Sequence, residues 1–281
     1  MSIAPPAESV HVLTPQLAQA WARATRELET LGDRAGDISA YCVFFGYPRS
    51  GHTIIANLLR AHRHAMIAIE LDVLRYVDAR FDGDRIMALT LERAASGKGL
   101  ESYEYDYRVP DLDQTGSARP RVIGDKCGGI FNIRYRRRPE LLDRLMDAIG
   151  IPLLGVHVVR NPFDNITTML TRGDADYLEQ AIDYYFKFVR DSVNIIERMG
   201  PRSVLTIRHE RFLADPPASL ADLCAFVGLD CPGDYAAACA SIVNPEPSRT
   251  RHAIDWPRFL IDEVHRRIEG AQFLSGYTFE D

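Results

Sequence analysis

Apolar positions recur along the chain in two rhythms, and their alternation predicts the architecture. Between Thr14 and Leu31, Leu17, Trp21, Ala24 and Leu28 fall at helical spacing, and Pro15 suits a first helical turn. Tyr41–Gly46 (YCVFFG) is instead a short unbroken apolar and aromatic run ending in glycine, the pattern of a strand buried on both faces. His52–His62 (HTIIANLLRAH) returns to the helical rhythm. The stretches RPRVIGD (119–125), Ile151–Val159 and Arg202–His209 read as further buried strands with helical segments between them. Strands alternating with helices need crossover connections, so an α/β fold with a central parallel sheet flanked by helices is expected. Gly97–Arg119 and the tail from Asn244 keep neither rhythm, and no internal repeat or linker divides the chain. Residues 1–281 are therefore read as one domain, with residues 1–13 frayed.

Composition narrows the function classes. A chain of 281 residues is long enough to bury a sizeable core. With 33 Lys+Arg against 39 Asp+Glu, its net charge of −6 argues against a nucleic-acid coat, so an anionic ligand has to be held by a local cluster. The five cysteines, Cys42, Cys127, Cys224, Cys231 and Cys239, are odd in number and lack the paired spacing of a zinc site, which fits reduced thiols in a cytoplasm. No stretch approaches eighteen apolar residues, and MSIAPPAESVHVLTPQ lacks a basic segment followed by an apolar one, so neither a membrane span nor export is expected. His62 and His64 read as packing or surface residues, and no metal site is expected.

Candidate chemistry begins at FGYPRSGHT (Phe45–Thr53), between a predicted strand and a predicted helix. Its glycines, Gly46 and Gly51, have the spacing of a phosphate-binding loop, in which successive backbone N–H groups and the positive end of a helix hold an anion. His52 stands where nucleoside triphosphatases carry the lysine that reaches the β- and γ-phosphates, which argues against ATP or GTP chemistry. Arg49, inside the loop, is suited to fork onto phosphate or sulfate oxygens.

Three segments in order carry a family resemblance. GYPRSGHT resembles the 5′-phosphosulfate loop of sulfotransferases that use 3′-phosphoadenosine 5′-phosphosulfate (PAPS). VHVVRNPFDNITTML (Val156–Leu170) resembles their 3′-phosphate segment, with Arg160 and Thr168 in its two recognition places. VLTIRHERFLADPPASLADLCAFVGLD (Val204–Asp230) resembles a further family stretch, with His209 standing where a tyrosine is usual. The resemblance runs from about residue 41 to 281 and implies a P-loop-like fold, PAPS as cosubstrate and adenosine 3′,5′-bisphosphate as product. It also implies that Arg49, Ser50, Gly51, His52 and Thr53 hold the 5′ end, and that Arg160 and Thr168 read the 3′-phosphate. PSRTRHAIDW resembles the last nucleotide segment, which adds Ser248, Arg249 and Arg251 as 3′-phosphate contacts. Because PAPS has no γ-phosphate, the missing lysine and its metal partner are no loss.

Sulfuryl transfer to a hydroxyl needs positioning, charge stabilisation and a base. Where some family members carry a Lys-Thr-His segment, this chain has IGDKCGG, so Gly128 takes the place of the histidine. Glu70, twenty-one residues after Arg49, is the expected base, by likeness to the tyrosylprotein and heparan enzymes, and Asp72 is the fallback. Flanked by Ile69 and Leu71, Glu70 is expected to be partly desolvated. Lys126 is expected to neutralise the leaving oxygen, with Asp125 orienting it, while Cys127 has no expected role. The basic run Arg134–Arg138 reads either as a solvated helix or as a contact for nucleotide or acceptor, and Tyr103, Tyr105 and Tyr107 either as a pocket wall or as half-buried core. The acceptor, a small-molecule, sugar or peptide hydroxyl, is not written in the sequence. Two other classes stay open: a small-molecule kinase, against which stand His52 and the lack of a clear second acidic metal-binding strand end, and a non-catalytic nucleotide-binding protein.

Overall fold

The computed structural model describes residues 14–31, 37–102 and 105–281. The first helix, α1 (Pro15–Leu31), starts at the proline suited to its first turn and buries Ala20, Trp21 and Ala24. Next come β1 (Ala40–Gly46), α2 (His52–Arg60), β2 (Ala65–Ile69), α3 (Val73–Asp78) and α4 (Gly83–Ala95). A two-stranded antiparallel pair, β3 (Glu101–Ser102) and β4 (Tyr105–Asp106), lies within the irregular stretch. It is followed by β5 (Val122–Gly128), α5 (Gly129–Arg137), α6 (Glu140–Ile149), β6 (Leu153–Val159), α7 (Pro162–Thr171), α8 (Leu178–Met199) and β7 (Val204–Arg208). The helices α9 (His209–Ala214), α10 (Pro216–Phe226), α11 (Gly233–Ala240) and α12 (Arg258–Ile268) complete the chain.

The five longer strands form one parallel sheet in the order β2-β5-β1-β6-β7, the α/β architecture that the alternation of patterns implies. β1 lies at its centre, and its side chains explain the unbroken apolar run. Tyr41, Val43 and Phe45 pack with Trp21, Leu89 and Leu145 on one face, whereas Cys42 and Phe44 pack with Leu58 and Leu223 on the other. A strand covered on both faces has no polar side to alternate with. A third apolar cluster joins α7, α8 and α12 through Phe163, Phe188 and Val264.

From β1 the chain crosses by α2 to β2 on one side, and it later returns to β6 on the other. The strand order therefore reverses beside β1, whose carboxyl end is the position of the ligand crevice in sheets of this kind. The irregular stretch is tied back onto α2. Buried Arg60 donates to the carbonyls of Ala94, Lys98 and Gln114, and Asn57 Nδ2 donates to the Gly99 carbonyl at 2.9 Å. The fraying expected of residues 1–13 and the expected placement of Tyr103 lie outside the described residues. Tyr105 and Tyr107 stack with ring centroids 5.9 Å apart.

Beneath the crevice, His157 of β6 is fully buried, with Nε2 3.2 Å from the Tyr47 hydroxyl and Nδ1 3.3 Å from Thr206 Oγ1. Burial pushes its pKa down to about 3. A folded-state pKa below the unfolded value near 6.5 means that the unfolded chain binds the extra proton. Stability is thus fully present above about pH 6.5 and is lost as pH falls toward 3, by up to about 1.4 kcal/mol per pH unit. Urea midpoints measured from pH 7 to 4.5 should fall for the wild type, and the slope should flatten in His157→Gln; parallel slopes would remove His157 as their cause.

Candidate active site

The loop after β1 is held from three sides. The Gly46 N–H donates to Asn132 Oδ1 at 2.8 Å, and Asn132 is fixed in turn by Ser192 Oγ at 3.0 Å. Asn165 Nδ2 donates to the Pro48 carbonyl at 2.7 Å, and Ser50 Oγ donates to the Tyr47 carbonyl at 3.1 Å. Gly51 precedes α2 with φ 88°, a left-handed conformation that favours glycine, and gives the helix no side-chain cap. The start of α2 thus has no side-chain cap from its N-cap residue, which leaves its positive end to an anion.

Arg49 also has a left-handed backbone, φ 66°, and its Nε donates to Asp174 Oδ2 at 2.9 Å. Asp174, in the turn after α7, was not singled out from sequence. Holding the guanidinium by Nε leaves both terminal nitrogens to fork onto an anion.

The two histidines that depart from the family pattern flank this loop. The imidazole of His52 lies against Gly128: a Cβ built on Gly128 would come 1.5 Å from His52 Nε2. The substitution at 52 and the glycine at 128 are therefore one feature, since only a residue without a side chain at 128 leaves room for the ring. His52 is 7% exposed, and its pKa is pushed well below the usual value by burial, then by the charge of Lys126 and by His209. The His209 ring packs on Gly51 from the other side, where a Cβ would meet its Cδ2 at 2.2 Å. Its pKa is pushed down to about 4 by burial and by Arg160.

Lys126 and Glu70 meet at the ends of the adjacent strands β5 and β2, with Nζ 3.4 Å from Oε1. The lysine side chain is buried. That of Glu70 is 56% exposed, which corrects the expectation of desolvation: Ile69 and Leu71 do face the core, but a left-handed backbone at Glu70, φ 56°, turns its carboxylate outward. Asp72, the fallback base, is also left-handed, φ 69°, and is gripped by a fork from Arg134, with Nε to Oδ1 at 2.5 Å and Nη2 to Oδ2. Most of the basic run is engaged in the same way. Arg136 pairs with Asp191, and Arg138 with Asp78 and Glu140, so these arginines brace α5 against the protein's own carboxylates. Asp125 does not orient Lys126 as expected; its carboxylate accepts the N–H groups of Leu71 and Val73 at 3.0 and 2.9 Å.

At the far side of the crevice Arg160, 7% exposed, reaches four oxygens. Nη1 lies 3.4 Å from the Arg49 carbonyl and 3.3 Å from Thr168 Oγ1, and Nη2 lies 2.5 Å from the Ser248 carbonyl and 3.5 Å from Thr250 Oγ1. Arg160 thus meets Thr168 through its hydroxyl and Ser248 through its backbone carbonyl, and Thr250 joins them, with Oγ1 3.0 Å from Thr168 Oγ1. Sequence reasoning passed over Thr250 although it sits between the two arginines it did select. Arg249 is exposed, and among the described residues its side chain has no hydrogen-bonded or ionic partner. Arg251 is kept apart from the group. It is buried against Asp164 at 3.7 Å and donates to the carbonyls of Thr278 and Asp281, so it ties the C-terminal segment to α7. Among the described residues no group of three or more His, Cys, Asp or Glu side chains is gathered for a metal, and no helix is long and apolar enough to cross a membrane.

Fold and crevice together define a P-loop-like α/β protein. Residues 155–233 match the sequence model of the sulfotransferase family, a span that includes Arg160 and Thr168 but leaves the loop, Glu70 and Lys126 outside it. No curated protein matches the chain. Sulfotransferase STF1 from Mycobacterium tuberculosis H37Rv superimposes with a TM-score of 0.51 at 13% identity over 91% of this chain and 84% of its own. The sulfotransferase domain from the curacin biosynthetic pathway superimposes with a TM-score of 0.50 at 16% identity, over 83% and 97%. At such identities these likenesses bear on the fold alone. The sequence match is confined to residues 155–233, and the superpositions extend a sulfotransferase-like fold over the rest of the sheet.

Proposed function

We propose that residues 1–281 act as one cytoplasmic domain that transfers the sulfuryl group of PAPS to an acceptor hydroxyl and releases adenosine 3′,5′-bisphosphate, with no divalent metal required. One observation carries the reading: the site pairs an uncapped helix N-terminus and the Lys126–Glu70 ion pair with a buried Arg160, whose guanidinium meets the Arg49 and Ser248 carbonyls and the Thr168 and Thr250 hydroxyls. A ligand with anionic groups at two ends would engage both. In this reading the loop from Arg49 to Thr53 holds the 5′ phosphosulfate, and Arg160, Thr168, Ser248 and Arg249 hold the 3′-phosphate. Arg251 supports them through Asp164. Lys126 neutralises the bridging oxygen as the S–O bond breaks, and Glu70 takes the acceptor proton, so that charge is met on both sides of an in-line transfer.

A second reading moves the proton to His52. Its ring occupies the space that a side chain at 128 would take, beside Lys126, and burial favours its neutral, proton-accepting form.

Ligand choice tests the function itself. Adenosine 3′,5′-bisphosphate at a hundredfold excess over its dissociation constant should stabilise the fold by about 2.7 kcal/mol without Mg²⁺. In a thermal melt this reads as a rise in Tm, and ATP with Mg²⁺ should do much less. Tight Mg²⁺-dependent ATP binding would favour a kinase instead.

A further inference from the structure

The turn that carries Glu70 has an unusual support. Glu70 and Asp72 both hold left-handed backbones, a conformation costly for residues with side chains, and the positive φ values make the N–H groups of Leu71, Asp72 and Val73 converge on one side. Convergent N–H groups of this kind usually cradle an anion. Here the anion is internal. Asp125 Oδ1 accepts from Leu71 at 3.0 Å, Asp125 Oδ2 accepts from Val73 at 2.9 Å, and Cys127 Sγ accepts from Asp72 at 3.0 Å. The Cys127 thiol donates in turn to Asp125 Oδ2 at 3.1 Å. Asp125 and Cys127 are buried, and both lie on β5, one residue either side of Lys126.

Side chains alternate along a strand, so Asp125 and Cys127 face the turn while Lys126 faces the other way. The ladder continues beside them, with the Glu70 N–H donating to the Lys126 carbonyl at 2.9 Å. Three consecutive residues of one strand thereby fix both partners of the ion pair: Lys126 directly, and Glu70 through its turn. Arg134 closes the clasp from outside by holding the Asp72 side chain.

We propose that Asp125, acting with Cys127, is a positioning residue that holds the Glu70 carboxylate at Lys126 by gripping the three backbone N–H groups that follow it. The proposal rests on the reading of Glu70 as the base. It accounts for a buried carboxylate with no cationic partner among the described residues, for a thiol the chemistry does not otherwise use, and for two strained residues in one turn. Without the grip, Glu70 and Asp72 relax toward ordinary backbone angles and the carboxylate leaves the lysine.

Asp125→Asn keeps the shape and puts an amide where one backbone donor expects an oxygen. Its release of adenosine 3′,5′-bisphosphate from PAPS should fall roughly ten- to a hundredfold, as a misplacement of about an ångström does. Affinity for the bisphosphate should stay within about twofold, since the 3′-phosphate cluster is untouched. Amide exchange followed by mass spectrometry should quicken in the peptide covering residues 70–73. In a Glu70→Gln background, adding Asp125→Asn should cost no further turnover, because a residue that acts through Glu70 has nothing left to position. The same loss in both backgrounds, unchanged exchange at 70–73, or full turnover in Asp125→Asn would overturn the proposal. Should Asp125→Asn not fold, Cys127→Ala is expected to show a smaller version of both effects and Cys127→Ser to reverse them; two variants at full activity would count equally against the clasp. With a pool of phenol, sugar and peptide hydroxyls supplied in every assay to take the sulfuryl group, a wild type that releases no bisphosphate from PAPS would sink the sulfotransferase reading, whereas the exchange measurement answers for the clasp alone.

Discussion

Glu70→Gln is expected to lower PAPS turnover by roughly 10²–10⁴, the usual range for loss of a general base, while adenosine 3′,5′-bisphosphate binds nearly as before. The substitution keeps length and shape and removes only the charge and the proton-accepting oxygen. Glu70 is half exposed and bonds Lys126 by a single 3.4 Å contact; glutamine keeps an oxygen beside the buried lysine but removes its charged partner, so a modest fall in melting temperature should accompany the loss of turnover. Asp72→Asn should behave differently. That carboxylate is spent on Arg134, and its loss should show in the melting temperature before it shows in proton transfer. His52→Gln run in parallel decides between the two bases. If Glu70→Gln keeps near-normal turnover and His52→Gln loses it, the proton goes to the imidazole, and the closeness of His52 to Gly128 becomes the reason for the glycine. Rates with PAPS, set beside calorimetric affinities for the bisphosphate, separate a loss of chemistry from a loss of binding.

How much of this was legible in the sequence differs from one part of the site to the next. The central strand, the loop and the helix after it were readable because each rests on local pattern: an apolar run, two glycines at fixed spacing and a helical rhythm. Arg160 and Thr168 were picked out by the family resemblance of their segment, and their contact is local, since the two are eight residues apart on one strand-helix unit. β2 was not read as a strand, since Ala65–Ile69 runs into Glu70–Leu74 with no glycine or proline to mark its end. The clasp escaped for a related reason. Asp125 reaches Leu71 across 54 residues, and nothing in the composition of ELDV announces two left-handed backbones. Asp174 was missed because an aspartate in a turn looks the same in sequence whether it faces water or, as here, an arginine 125 residues away. The expected desolvation of Glu70 failed because apolar neighbours in sequence say nothing about direction once the backbone leaves the strand region. What stays hidden is pairing between loops, which is set by the sheet order, and five short strands do not declare their order.

Recognition of the 3′-phosphate can be separated from general attraction for anions by Arg160→Ala. Arg160 is buried, burial pulls its pKa down, and its oxygen partners are neutral carbonyls and hydroxyls. A buried cation held mainly by neutral acceptors has charge to offer a dianion. Asp164 lies near enough to act on the charge of Arg160, but its hydrogen bond goes to the Arg251 N–H at 2.9 Å, and among the described residues no carboxylate bonds the Arg160 guanidinium directly. Charge-assisted hydrogen bonds are worth about 1.5–3 kcal/mol each. Losing them should weaken adenosine 3′,5′-bisphosphate roughly ten- to a few-hundredfold, by the relation of about 1.4 kcal/mol per tenfold. Thr168→Ala should cost less, since it removes one neutral hydroxyl whose neighbour Thr250 remains. Neither change should much affect adenosine 5′-phosphate, which lacks the group that both residues are assigned to touch. Arg251→Ala makes the contrasting case: with its side chain turned into the Asp164 and C-terminal network, it should lower the melting temperature more than it discriminates between the two nucleotides. Calorimetric titration of both nucleotides into each variant, with circular dichroism to confirm folding, gives the comparison. Equal losses for the two nucleotides in Arg160→Ala would make the arginine a brace for the Arg49 carbonyl, and the nucleotide reading would then stand on the loop and the Lys126–Glu70 pair.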